Sequence, residues 1–174
     1  MMEPSAATAR LVRQRAADRC EYCLMHQSLQ VATFHIEHIT PSSAGGPPSP
    51  DNLALACPSC NLRKANRLTA RDPTTGDMVP LFHPRRHIWT DHFAWSGNEI
   101  VAKTPIGRAA IVMLDMNHAR RLKVRIAESR SPSFHRRVPF LRRVSSTTVT
   151  TDLTKITTIA ANRYSSRSAM YLSR

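Results

Sequence analysis

Apolar positions along the chain come in short runs whose period changes several times. Near the start Leu11, Val12 and Ala16 recur at helical spacing, with Arg10, Arg13 and Arg15 between them. Ser5 can accept from the amides of a first turn, so the pattern predicts a helix from residue 5 through 19. Residues 31–39 are rich in β-branched and aromatic side chains and are followed by Pro41, which predicts a strand. Residues 42–50 are dense in Gly and Pro and read as a loop; 53–57 are a short, wholly apolar strand. Pro58 suits the first turn of a helix reaching about Arg67, where a missing amide hydrogen does little harm. Farther on, residues 81–95 carry Phe82, Trp89, Phe93 and Trp95, and 106–114 form another apolar block. Strand, loop, strand and helix with flanking pieces make a small α+β domain.

Composition narrows what that domain can be. The chain has 174 residues, enough for one compact domain or a small domain with an appendage, and too few for a TIM barrel or most two-domain enzymes. Its 25 Lys+Arg against 12 Asp+Glu leave a formal charge of +13, which points to nucleic acid before an anionic membrane surface. No run approaches the roughly 18 apolar residues of a membrane span. Arg10, Arg13 and Arg15 interrupt the start too early for a signal peptide, and a soluble cytoplasmic protein is expected.

The charge is uneven. Residues 1–125 hold 16 Lys+Arg and 10 Asp+Glu, a net of 16 − 10 = +6; residues 126–174 hold 9 and 2, a net of 9 − 2 = +7. The second stretch is rich in Ser and Thr, has no Gly or Cys and shows no amphipathic period. It reads as a basic, weakly structured tail behind a domain of residues 1–125. Arg120, Arg121, Lys123 and Arg125 alternate with apolar positions and read as a charged edge closing that domain.

The four cysteines, Cys20, Cys23, Cys57 and Cys60, form two C-x-x-C pairs separated by 33 residues. Two intervening residues let both sulfurs of a pair reach one ion at about 2.3 Å, and two pairs complete a closed tetrahedral site. That is the pattern of structural zinc. A redox dithiol needs only one pair, and ordinary core cysteines have no reason to fall in two matched pairs.

Between the pairs runs Phe34-His35-Ile36-Glu37-His38-Ile39, and after the loop comes Asn52-Leu53-Ala54-Leu55-Ala56-Cys57-Pro58-Ser59-Cys60-Asn61, then Lys64. Glu37 is a hard oxygen ligand suited to Mg²⁺ or Mn²⁺. His38 can take a proton from water near neutral pH. Asn61 offers an uncharged oxygen from the first turn of a helix, and Lys64, three residues on, shares its face and can neutralise a phosphate. Arg63 and Arg67 extend this basic run as candidate nucleic-acid contacts, against the plainer reading of a solvated helix face. His35 shares a strand face with Glu37 by alternation and reads more readily as structural than as a ligand. Arg85, Arg86, Trp89 and His92 mix cations with an aromatic as nucleic-acid grooves do; a satellite core rimmed by arginines accounts for them better.

Taken together, these motifs resemble the zinc-containing HNH endonucleases, whose active site is a ββα-metal finger. The likeness is densest over residues 12–67. A weaker likeness to one bacterial HNH subfamily runs through Pro80-Leu81-Phe82-His83-Pro84-Arg85-Arg86, Trp89-Thr90-Asp91-His92-Phe93 and Thr104-Pro105-Ile106-Gly107-Arg108 to about Arg125. The resemblance implies that His38 is the general base and that Glu37 stands for the acidic ligand of a catalytic divalent ion, a place where the family often has Asp. It makes Asn52 the middle Asn, which braces loop and base, and Asn61 the final His or Asn on the metal. The implied cofactors are a structural Zn²⁺ and a catalytic Mg²⁺ or Mn²⁺. The implied partner is DNA, duplex first, with no membrane and no small-molecule cofactor. Two rivals stand beside this reading: a zinc-ribbon nucleic-acid binder without catalysis, indifferent to His38, and an adaptor finger that binds protein or RNA.

Overall fold

The first helix, α1 (Ala6–Ala16), opens as its sequence asks: Ser5 caps it, its hydroxyl accepting from the Thr8 amide. It ends before Arg19, because Ala17 and Asp18 turn into the left-handed region at φ 48° and 55°. That reversal brings Arg19 back to bridge with His26 and sets the first cysteine pair in the turn between them. In this computed structural model residues 4–130 are described; the expected basic tail, from 131 onward, lies outside the described residues.

Strand β1 (His35–His38) is shorter than the predicted 31–39, and Val31 is fully exposed. The reason is the length of its partner. Strand β2 (Leu53–Ala56) pairs with it antiparallel, His35 opposite Ala56 and His38 opposite Leu53, and then gives way to Cys57, which caps the next helix. The residues before His35 therefore have nothing to pair with. All of β2 is buried. Helix α2 (Pro58–Lys64) starts with Pro58 in its first turn and stops at Ala65, which takes φ 45°. The pieces β1, β2 and α2 form a ββα unit; the first cysteine pair precedes it in sequence and the second lies where β2 passes into α2.

Two hairpins and three helices complete the core. Strands β3 (Thr69–Arg71) and β4 (Met78–Pro80) form a hairpin, as do β5 (Phe93–Ser96) and β6 (Glu99–Ala102). A short helix, α3 (Trp89–His92), precedes β5, and α4 (Pro105–Met113) and α5 (Ala119–Ser129) follow β6. The aromatic block is not a satellite. Phe82, Trp89 and Phe93 share one buried cluster with Tyr22, Phe34, Leu53 and Leu55, and the Trp89 indole donates to the Tyr22 carbonyl at 3.0 Å.

One expectation is corrected here. Arg121 and Arg125 are not on a charged edge: both are buried, because spacing four puts them on the inner face of α5, while Arg120 and Lys123 face water. Helix α5 continues to Ser129, and Glu128 pairs with Arg19 at 2.8 Å.

Candidate zinc centre and active site

Each cysteine pair is held by backbone hydrogen bonds. In the first, Cys20 donates to Met25 and Leu24 donates back to Cys20, the reversal being completed by Leu24 at φ 59°. The Glu21 amide donates to the Leu55 carbonyl at 2.8 Å and its carboxylate accepts from the Leu55 amide at 2.9 Å, so this turn is fastened along β2. Glu21 also pairs with Arg85 and Arg15. In the second pair, Cys57 caps α2 and Cys60 lies in its first turn.

All four sulfurs are buried and lie within 4.8 Å of one another. Cys23 and Cys57 are 3.8 Å apart, and the edge of a tetrahedron with bonds of about 2.3 Å is itself about 3.8 Å. Burial pushes the Cys20 and Cys60 thiols up, while hydrogen bonds from Cys20 and its neighbours pull Cys23 down. Four buried thiols this close cannot all ionise without positive charge among them. The donor set, spacing and electrostatics thus fit a metal ion, and the cluster can hold a structural zinc.

The second group of side chains surrounds Glu37. Its carboxylate is 7 % exposed; one oxygen accepts from the Tyr22 hydroxyl and the other lies 3.5 Å from the Lys64 ammonium. Burial raises the Glu37 carboxyl to about 7, with Lys64 and Tyr22 pulling the other way. Tyr22 is itself pushed up, by burial and by the charge of Glu37. Lys64 is 2 % exposed and also donates to the His38 carbonyl at 3.0 Å. The expected surface cation is therefore an internal one. The long side chain folds back from the end of α2 under β1, where it meets an acidic partner that is also shielded from water.

His38 is half-buried, and its ring has no hydrogen-bond partner among the described residues. Asn52 is fully used: its amide oxygen accepts from the Thr40 amide, and its nitrogen donates to the Thr40 and Pro47 carbonyls, all at 2.9 Å. Its own carbonyl accepts from Ile39. Those bonds tie the loop to the residues just after His38. Asn61 lies on the first turn of α2, half-buried, its side chain without a protein hydrogen bond among the described residues. Arg63 is exposed and paired with Asp115 at 2.7 Å, and Arg67 donates to the Arg63 carbonyl. His35 is exposed at the outer end of β1. The fold thus gathers Glu37, His38, Asn52 and Lys64 about the end of β1, and leaves Arg63 on the outer face of α2 and Arg67 just past it, because the helix stops at Lys64 and does not reach the expected Arg67.

Sequence reasoning missed two residues. Tyr22 lies inside the first C-x-x-C pair, and an aromatic between ligands was a usable signal. Arg121 had none, since only the tertiary fold carries it to the cysteines.

A ββα unit closed by a four-cysteine metal cluster, with Glu-His at the end of its first strand, defines a metal-finger class of domain. Residues 20–67 match the family described as HNH endonuclease, so the segment from the first cysteine pair to just past α2 is similar to that family, and the similarity points to a function of the nuclease type. No curated protein and no solved structure matches the chain.

Proposed function

We propose that this protein is a DNA endonuclease that hydrolyses phosphodiester bonds with His38 as general base. The observation that carries the reading is the half-buried His38 ring, without a hydrogen-bond partner among the described residues, next in sequence to the buried Glu37 and within the segment that matches the HNH family. A ring held by its strand yet free of hydrogen bonds is available to take a proton from water. Asn52 serves it as a positioning residue by fastening the loop that follows.

Glu37 and Asn61 are the residues that would hold the catalytic Mg²⁺ or Mn²⁺. A carboxylate has about four lone-pair sites, so the bonds from Tyr22 and Lys64 leave Glu37 room for a ligand bond. When bound, the ion would supply Lewis-acid stabilisation of charge on the phosphate. Of the basic residues on and just after α2, Arg67 is the best placed for the DNA backbone, with Arg63 available once it leaves Asp115; Lys64 acts from inside. The cysteine cluster holds zinc and keeps the finger folded. Duplex DNA in the cytoplasm, bound first through its phosphates, is the substrate that the positive charge favours.

The test is plasmid cleavage with and without Mg²⁺ or Mn²⁺, wild type beside His38→Ala. The variant removes no cysteine and no side-chain hydrogen bond among the described residues, so it should keep zinc, fold and DNA affinity while losing cleavage by about 10²–10⁴-fold. Glu37→Ala should instead recover part of its activity at high Mn²⁺. Cleavage by His38→Ala at the wild-type rate refutes the mechanism, and a wild type that never nicks DNA with any divalent ion favours the passive zinc-ribbon reading.

A further inference from the structure

The helix that closes the domain reaches the cysteine cluster with a charged side chain. Arg121 is 5 % exposed. One of its terminal nitrogens lies 2.9 Å from the Cys60 sulfur, 3.1 Å from Cys57 and 3.8 Å from Cys23. The other donates to the carbonyls of Leu114 at 2.9 Å and Asp115 at 3.0 Å. The guanidinium is thus fixed on one side by the turn between α4 and α5 and aimed on the other at three of the four sulfurs. Arg121 lies far outside the segment that matches the family.

We propose that Arg121 is an outer-sphere partner of the metal site: it donates to the zinc-bound sulfurs, offsets their charge and slows loss of the metal. The inference rests on the reading of the four cysteines as a zinc site. Four thiolates around a divalent ion carry a net charge of 2 − 4 = −2. Leaving that charge in a buried site without a partner is costly. A guanidinium is the natural counter-charge, because its fork of donors spans several acceptors and it does not deprotonate. Hydrogen bonds to a thiolate also draw electron density from sulfur, so the sulfur is less readily protonated or alkylated and the metal–sulfur bond is longer lived. The zinc centre is then not confined to the two C-x-x-C pairs. It includes α5, and holding Arg121 in place is a function of the chain beyond the finger.

The test uses the full-length protein as wild type, Arg121→Met, Arg121→Lys and Arg125→Met. Arg125 is buried on the same helix, bonded to Met116, Asn98 and Asn117 and near enough to interact with the charge of Cys23 and Cys60, with no hydrogen bond to sulfur, so its replacement reports on looser packing of α5 and loss of a nearby charge without loss of a sulfur hydrogen bond. Two quantities are read: the rate at which zinc passes to a chromogenic chelator, and the sulfur-to-metal charge-transfer band after Co²⁺ replaces zinc. Arg121→Met should release zinc about 10-fold faster or more and move the cobalt band to lower energy. Arg121→Lys should fall between it and wild type, and Arg125→Met should leave the band in place. If Arg121→Met does not fold, the band of Arg121→Lys decides. An unmoved band in the Arg121 variants, or equal acceleration by Arg125→Met, overturns the proposal while leaving the zinc reading intact. A wild type that holds no metal overturns both.

Discussion

Glu37 shows how a single residue can be tied into a fold from several sides. Its strand gives it an inward position, Tyr22 reaches it from the first cysteine turn, and Lys64 reaches it from the last turn of α2. The consequence is a pH dependence whose sign can be worked out. The carboxyl titrates at about 7 in the folded state because it is buried, against 4.5 ordinarily. Between those values the folded chain keeps a proton that the unfolded chain has released, so stability falls as pH rises through the window and levels off above about 7. A shift of this size corresponds to about 3 kcal/mol across the full window. Glu37→Gln cannot titrate. In buffers free of Mg²⁺ and Mn²⁺, the stability of Glu37→Gln relative to wild type should therefore climb from pH 5.5 to about 7.5 and then stay flat. Comparing the two proteins cancels the pH dependence of the zinc cysteines. A difference independent of pH in denaturant titrations would show that Glu37 is solvated.

Among the elements, the loop between β1 and β2 depends most on particular residues. Asn52 supplies three side-chain hydrogen bonds, and Gly46 passes so close that an added Cβ would lie 1.8 Å from the Thr40 carbonyl oxygen and 2.7 Å from the Asn52 amide nitrogen. Asn52→Ala leaves Thr40 and Pro47 groups without partners, a cost of about 1–3 kcal/mol for each one kept from water. Gly46→Ala must push the loop away from Asn52. On the proposed mechanism both variants should retain zinc yet lose cleavage chiefly in kcat, since what moves is the loop proposed to position His38; full activity in Gly46→Ala would show that the brace does not matter. Much of this was legible beforehand. The cysteine spacing, the apolar run of β2, Pro58 and the Gly-rich loop all act through neighbours in sequence, so pattern alone located the finger. Partners far along the chain were not legible. The residues from 31 to 34 have strand composition but no strand opposite them. Lys64 and Arg121 look like surface cations until the fold brings Glu37 to one and three sulfurs to the other. Charge in a sequence does not reveal burial, because burial of a charge is set by its partner.

At the scale of the molecule, the family segment and the folded unit are different things. Residues 20–67 supply both cysteine pairs and the proposed catalytic group, but their buried surface continues into Phe82, Trp89, Phe93, Leu114 and Met116, and Arg19 pairs with Glu128 from the last turn of α5. Two truncations separate what folds from what adds charge. A chain ending at Arg130 keeps the Arg19–Glu128 pair and all of α5, and sheds residues with 8 Lys+Arg and 1 Asp+Glu, a net of 8 − 1 = +7. It should hold zinc and cleave as the full chain does. Its DNA affinity should fall less steeply with salt, because fewer phosphates are neutralised and fewer counterions released. A chain ending at Arg125 also loses Glu128, leaving Arg19 without that partner and α5 a turn shorter. It should show the same reduced salt slope together with a lower melting temperature and faster zinc release. Binding measured across a salt series on both truncations, beside thermal melts, tests this directly. Equal stability of the two would mean that the last turn of α5 contributes nothing. Loss of zinc or cleavage in the chain ending at Arg130 would mean that the basic residues beyond it belong to the working enzyme.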